Sequence, residues 1–225
     1  QVNQFVYQTS QRLLSENKTV GVVGGDHSSP YGLIKALSEK HDGQFGILHV
    51  DAHLDLRQAY QGFEHSHASI MYNVMNLKNP PHSLVQVGIR DFSEEEHQMA
   101  KSLGRVFCYY DQALREDQFL GVNFSKQVEN MLDHLPQRVY ISFDVDGLDP
   151  ALCPSTGTPV PGGLSYAEAI YLIRAVVASG RHIIGFDLCE VSPNQQHPDD
   201  EFDGNVGARL LFNLCSWTME SQNNA

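Results

Sequence analysis

The sequence predicts a doubly wound, three-layer α/β/α fold around a mainly parallel central sheet. Three observations predict it. Six short β-branched runs recur along the 225 residues. Longer stretches with helical patterning separate them. Several of the runs are apolar almost throughout, as expected of strands buried on both faces of a parallel sheet. A chain of this length is expected to form one domain, 1–225, with one sizeable core, since domains usually hold roughly 100–200 residues and α/β folds run longer.

The elements follow in order. A helical stretch at about 2–16 leads into the first strand, KTVGVV at 18–23. A helix at about 30–40 precedes the second strand, FGILHV at 45–50. Another helix, about 67–76, precedes LVQVGI at 84–89. The helix at 93–103 carries its own start and stop signals: Ser93 stands before three glutamates, and Gly104 follows the last turn. The strand RVFCY (105–109) comes next, then a helix at 124–134 and the strand RVYISF (138–143). The helix at 165–178 opens on Ser165 with Glu168 three residues on, a capping-box spacing, and Gly180 follows its end. HIIGFDL (182–188) is the sixth strand, and a helix at 205–220 completes the pattern. Two irregular segments, 147–164 and 191–204, follow strands. Both belong at the carboxyl edge of the sheet, where ligand sites form in open α/β folds.

Composition narrows the function classes. There are 15 Lys and Arg against 27 Asp and Glu, a formal net charge of −12. That balance argues against a general nucleic-acid or anionic-membrane binder. No apolar run approaches the roughly 20 residues of a membrane span. Cys108, Cys153, Cys189 and Cys215 are far apart and form no CxxC pair. This spacing suits reduced thiols in a cytoplasmic protein better than a disulfide framework or a zinc ribbon. The chain opens at Gln1 with no Met and no signal-like segment, which reads as a trimmed start.

The chemistry concentrates at three strand ends. Gly24-Gly25-Asp26-His27-Ser28 follows the first, Asp51-Ala52-His53-Leu54-Asp55 the second, and Asp144-Val145-Asp146 the strand at 138–143. In an extended chain alternate side chains point the same way, so Asp51, His53 and Asp55 are expected to converge, as are Asp144 and Asp146. Three ionisable groups on one strand face would be uncompensated buried charge without a partner. His27, His53, Asp51, Asp55, Asp144 and Asp146 make a set of two imidazoles and four carboxylates with no thiolate. Such mixed N/O ligation suits Mn²⁺ or a related divalent ion. Four carboxylates balance two divalent cations, −4 against +4, which points to a two-metal site in which two ions could share and activate a water.

GGDHS, DAHLD and SFDVDGLDP, in this order and spacing, resemble the arginase/agmatinase (ureohydrolase) family. The resemblance continues through TGTPVPGGLS (156–165), DLCEVSP (187–193) and VGARLL (206–211). It implies an arginase-like fold and two Mn²⁺ per subunit. His27, Asp51, Asp55 and Asp144 would surround one ion, and Asp51, His53, Asp144 and Asp146 the other. His67, in HASIM, stands at the place of the family's active-site histidine, with His65 as a rival two residues away. Glu190 matches the glutamate that binds the guanidinium or amidine group, for which a bidentate carboxylate is suited. A histidine near neutrality can pass a proton to the departing amine.

The activity implied is hydrolysis of a linear amidine or guanidino C–N bond, agmatinase- or arginase-like, releasing urea and an amine. Trimeric or hexameric homo-oligomers are implied as well. Two departures stand out. Family members carry a further N-terminal segment before the position where this chain starts. Arg57 follows DAHLDL, as in formimidoylglutamase-like members. Facing the site, its planar fork would favour a substrate carboxylate; turned to the surface, it would say nothing. Formimidoylglutamase, releasing formamide and glutamate, is therefore an alternative, and a catalytically silent metal-binding member is another.

Overall fold

The apolar runs pair side by side as β1 (Val20–Val23), β2 (Gly46–Val50), β3 (Ser83–Ile89), β4 (Val106–Tyr110), β5 (Arg138–Asp144) and β6 (His182–Cys189). The structure is a computed structural model and describes residues 1–223. The sheet order is β1-β6-β5-β2-β3-β4, and every pairing is parallel. β2 and β3 are buried along their whole length, which explains why their sequences read as continuous apolar runs rather than alternating ones.

Among the described residues, eight α-helices complete the layers: α1 (Val2–Ser15), α2 (Tyr31–His41), α3 (Ile70–Met75), α4 (Glu94–Leu103), α5 (Asp111–Phe119), α6 (Phe124–Leu132), α7 (Tyr166–Ala178) and α8 (Phe202–Asn223). Leu14, Leu33, Ile34, Ile70, Met71 and Ala100 from α1–α4 pack with Ile47, Leu84 and Tyr140 on one face of the sheet. Leu114, Val128, Met131, Leu172, Val176, Leu210 and Leu214 from α5–α8 pack with Leu48, Val85, Ile141 and Phe143 on the other. Both predicted capping boxes form. Ser93 and Ser165 each accept the backbone amide of a glutamate three residues on, which returns the bond to the serine amide.

Winding places the site. From β2 the chain steps outward through β3 to β4, then returns to β5 on the opposite side of β2 and goes on to β6. The direction of winding therefore reverses between β2 and β5, and that reversal opens a crevice at the carboxyl edge.

Three local readings change. The helix α5 lies where no element was expected. Its buried positions are only Asp111 and Leu114, too few to give a legible apolar stripe. The stretch at 67–76 divides into a 3₁₀ turn, His67–Ser69, and the short α3. The last helix starts three residues early, at Phe202, whose amide is accepted by the Asp200 side chain at 3.1 Å.

Candidate metal centre

β2 ends at Val50 and β5 carries Asp144 as its last residue. Val50 and Phe143 are register partners, so Asp51 and Asp144 emerge side by side at the reversal point. The expectation that 51–55 continues as a strand face is not met. Asp55 has φ +54, and the segment leaves the sheet as an irregular turn. A left-handed aspartate is tolerated because its short polar side chain bonds locally, and the turn swings its carboxylate back towards Asp51. Asp146 likewise lies in a 3₁₀ turn, Val145–Gly147, rather than on a strand. The ligand-type side chains thus converge through turns, not through strand alternation.

Two groups result, and Asp51 belongs to both. His27 Nδ1 lies 3.0 Å from Asp51 Oδ2, 3.4 Å from Asp55 Oδ2 and 3.3 Å from Asp144 Oδ2. His53 Nδ1 lies 3.3 Å from Asp51 Oδ1 and 3.0 Å from Asp146 Oδ2. The ligand atoms of Asp51, His53 and Asp146 fall within 4.8 Å of one another, as do those of His27, His49, Asp51 and Asp55. Asp51, Asp55, Asp144, Asp146 and His27 are all buried.

Backbone contacts hold these side chains in place. The Asp51 Oδ1 oxygen accepts the His53 amide at 2.6 Å, Asp146 Oδ1 accepts the Ala52 amide at 3.0 Å, and Asp144 Oδ1 accepts the Asp146 amide at 2.8 Å. Gly147 lets the 3₁₀ turn close onto Asp51: a Cβ there would stand 2.7 Å from the Asp51 nitrogen. Arg90, which no sequence signal singled out, staples the same turn. Its guanidinium donates to the carbonyls of Gly88, Asp146, Leu148 and Val160.

Electrostatics fits the donor set to divalent cations. Burial, then the charges of Asp146 and Asp51, push Asp144 well above the ordinary carboxylate range. Burial and Asp51 raise Asp55 to about 6, and the same two causes raise Asp146. Burial also opposes the charge on Asp51, but His49, His27 and His53 outweigh it and hold Asp51 well below its usual value. Despite burial, Asp146 and Asp51 lift His53 to about 11, and Asp144, Asp187, Asp51 and Asp55 lift His27 well above the usual imidazole value. Like charges this close resist ionisation together unless positive charge joins them. Divalent cations compete with protons for these same lone pairs.

Sequence reasoning missed a supporting layer beneath the ligands. His27 Nε2 lies 2.8 Å from Ser142 Oγ, which donates to Asp187 Oδ1 at 3.2 Å, and Tyr140 donates to Asp187 Oδ2 at 2.7 Å. A carboxylate only accepts, so the Ser142 hydrogen goes to Asp187 and its oxygen accepts from His27 Nε2–H. Nδ1 is then the ring nitrogen left to face the Asp51, Asp55 and Asp144 carboxylates. Asp187 opens the DLCEVSP stretch, where nothing local signals this role, and His49 and Ser142 read as ordinary strand residues.

Two of the remaining site residues, Arg57 and His67, line a cleft of ≈ 120 Å³ together with His53, Asp55, Tyr60, Ala68, Asp91, Glu96 and Thr158. His67 packs edge-on against Tyr60 there, whereas His65 sits against Tyr31 and does not line the cleft. Arg57 lies over the Tyr60 ring, with its Nε 3.4 Å from the buried Glu96 Oε2. Glu190 is outside the lining. It has φ +64, its Oε1 accepts the His27 amide at 2.9 Å, and burial raises its pKa.

Fold and site together define a parallel α/β protein built around a carboxylate–imidazole cluster of metal-ligand type. Residues 1–216 match the model of the Arginase family, and the chain belongs to that family. An N(1)-aminopropylagmatine ureohydrolase from Thermus thermophilus is 39% identical over 86% of this chain and 62% of its own length. Arginase 1, mitochondrial, from Arabidopsis thaliana is 34% identical over 94% of this chain and 59% of its own. Among solved structures, the agmatine ureohydrolase of Thermoplasma volcanium superposes with a TM-score of 0.81 at 28% identity, covering 99% of this chain and 70% of that one. Proclavaminate amidino hydrolase from Streptomyces clavuligerus gives 0.83 at 27%, covering 97% and 70%. The chain therefore spans about three fifths of the length of the curated relatives it matches. No helix among the described residues is long and apolar enough to cross a membrane.

Proposed function

We propose that the protein is a binuclear manganese hydrolase that cleaves the C–N bond of a guanidino substrate to give urea and an amine. One observation carries the reading: Asp51 is shared between a His27 group and a His53 group at the point where the sheet's winding reverses. His27, Asp51, Asp55 and Asp144 would hold one ion; Asp51, His53, Asp144 and Asp146 would hold the other. When bound, such a pair supplies water activated for attack at neutral pH. His67, which lines the cleft, would hand a proton to the departing amine. The Glu190 carboxylate would take the planar cationic head of the substrate.

The cleft favours a substrate with a cationic tail, of the agmatine or aminopropylagmatine kind that the relatives are named for. Arg57 already faces the Glu96 carboxylate, while Asp91, exposed at the cleft wall, meets only His53 Nε2, at 3.7 Å, among the basic groups of the described residues. A second reading, formimidoylglutamase, keeps one observation in its favour. Arg57 does line the cleft and its side chain is 40% exposed, so its fork remains accessible to a substrate carboxylate. A single-domain, cytoplasmic homo-oligomer, trimer or hexamer, belongs to the same proposal. It rests on the resemblance and on four free cysteines.

The experiment is a manganese-loaded screen over agmatine, arginine, guanidinobutyrate, guanidine and formiminoglutamate, reading urea and formamide. Urea from agmatine, suppressed in Asp91→Asn but not in Arg57→Ala, is expected. Formamide from formiminoglutamate, lost in Arg57→Ala, would transfer the assignment to the second reading. Neither product from a metal-loaded protein would leave a catalytically silent family member. Asp144→Ala should lose most of the bound metal; retention of both ions would overturn the shared-ligand assignment.

A further inference from the structure

One register row of the sheet is polar where a doubly covered sheet calls for apolar side chains. Cys108, Gln86, His49, Ser142 and Asp187 are successive partners across β4, β3, β2, β5 and β6. Gln86, His49, Ser142 and Asp187 are wholly buried. An amide or imidazole in such a place costs stability unless each polar atom finds a partner. The partners on the β2–β3 half of the row fix where the hydrogens lie.

Gln86 Nε2 is 2.8 Å from the Leu54 carbonyl oxygen. That oxygen can only accept, so the amide nitrogen, not its oxygen, must face it. The same nitrogen is 2.9 Å from His49 Nδ1, which must therefore accept. The imidazole hydrogen is left on Nε2, 2.8 Å from Asp51 Oδ2, to which it donates. Cys108 Sγ, 3.6 Å from Gln86 Oε1, occupies the other end of the amide. Each bond in this line has one permitted direction, and the line ends on the carboxylate common to both ligand groups.

We infer that Gln86 is a positioning residue for the metal centre. By holding His49 as its Nε2–H tautomer, it aims a donor at Asp51 Oδ2 and keeps that carboxylate turned between the two ions. Without Gln86, His49 can place a lone pair against the carboxylate, which repels it, and Asp51 Oδ2 loses that donor. The inference rests on the proposed two-ion site. It adds a residue 35 positions from Asp51 in sequence (86 − 51 = 35) that hydrogen-bonds to none of the six proposed ligands.

The test uses the full chain and Mn²⁺ alone. Gln86→Met keeps the side-chain length and removes the donor. Titration calorimetry with MnCl₂ should show at least one ion bound about 10–100-fold more weakly, the usual consequence of losing an outer-shell partner. Long-range ¹H–¹⁵N imidazole spectra should show the loss of the His49 Nε2–H pattern, a change that a merely structural role would not produce. In a His49→Phe background, Gln86→Met should cause no further loss of affinity, since both act through one bond. Circular dichroism checks folding. Should Gln86→Met not fold, Gln86→Asn, one carbon too short to reach His49, is expected to show the same loss. Two ions in the wild type with unchanged binding in a folded Gln86 variant would overturn this inference alone, as would additive losses in the double variant. A wild-type chain that takes up no Mn²⁺ would overturn the two-ion reading and this inference with it.

Discussion

Tyr140→Phe strips one hydrogen bond from a carboxylate that has no water to turn to. Tyr140 and Asp187 are both wholly buried, and the phenol donates to Asp187 Oδ2 at 2.7 Å. Ser142, the Phe143 amide and the Cys189 thiol all address the other oxygen, Oδ1, at 3.2, 3.3 and 3.6 Å. Tyr140 is thus the only partner of Oδ2 among the described residues. Phenylalanine fills the same ring volume, so no cavity opens and the change isolates the bond. Burial, and then the charge of Asp187, push the phenol's pKa well up, which keeps the hydroxyl a donor at neutral pH. A hydrogen bond to a charged group contributes about 1.5–3 kcal/mol, and the stranded oxygen places this variant at the upper end, about 2–3 kcal/mol. For a chain of this size that loss lowers the melting temperature by roughly 5–10 °C. Urea denaturation and scanning calorimetry on metal-free protein read it directly. Affinity for Mn²⁺ should fall in parallel, because Asp187 holds Ser142 and Ser142 holds His27. A loss below about 0.5 kcal/mol, the level of an ordinary surface substitution, would refute the role given to Asp187.

Two further outcomes are expected. Although partly buried, Glu168 is held at about 2 by Arg115 and by the amide and hydroxyl of Ser165, against a usual value of 4.5. A depressed carboxyl contributes stability that is complete above about pH 5 and is lost as pH falls towards 2, so Glu168→Gln should flatten that acid limb by about 1–3 kcal/mol in urea titrations at successive pH values. Gly147→Ala places a methyl 2.7 Å from the Asp51 backbone nitrogen. It should destabilise by about 1–3 kcal/mol and weaken Mn²⁺ binding, because the contact is with backbone that cannot swing aside; a variant equal to wild type in both would show that the turn can shift freely.

Charged side chains at the ends of apolar strands were legible because burying them demands a partner, and His27, Asp51, His53, Asp55, Asp144 and Asp146 do gather. The capping boxes at Ser93 and Ser165 were legible because they depend on a local spacing alone. The route of convergence was not. A left-handed Asp55 leaves no mark in a sequence, since aspartate enters that region without a glycine to announce it. Nor was the helix α5, whose surface is polar nearly all round. His49, Gln86 and Arg90 were hidden for a different reason. Gln86 meets His49 across 37 positions and Arg90 meets Val160 across 70, and parallel crossovers bring such partners together without any periodicity. No pattern within one element carries that information.

The register of β2 against β5 has a consequence for how such a site can change over time. Asp51 and Asp144 each follow one member of the same backbone pair, Val50 and Phe143. Their separation is therefore measured out by neighbouring parallel strands, about 4.8 Å apart, a dimension no side-chain substitution can alter. Part of the cleft wall comes from irregular segments outside the sheet, where Arg57, Tyr60 and Asp91 can be exchanged. The gauge of the centre is inherited from the sheet, and only the choice of guest is open to revision.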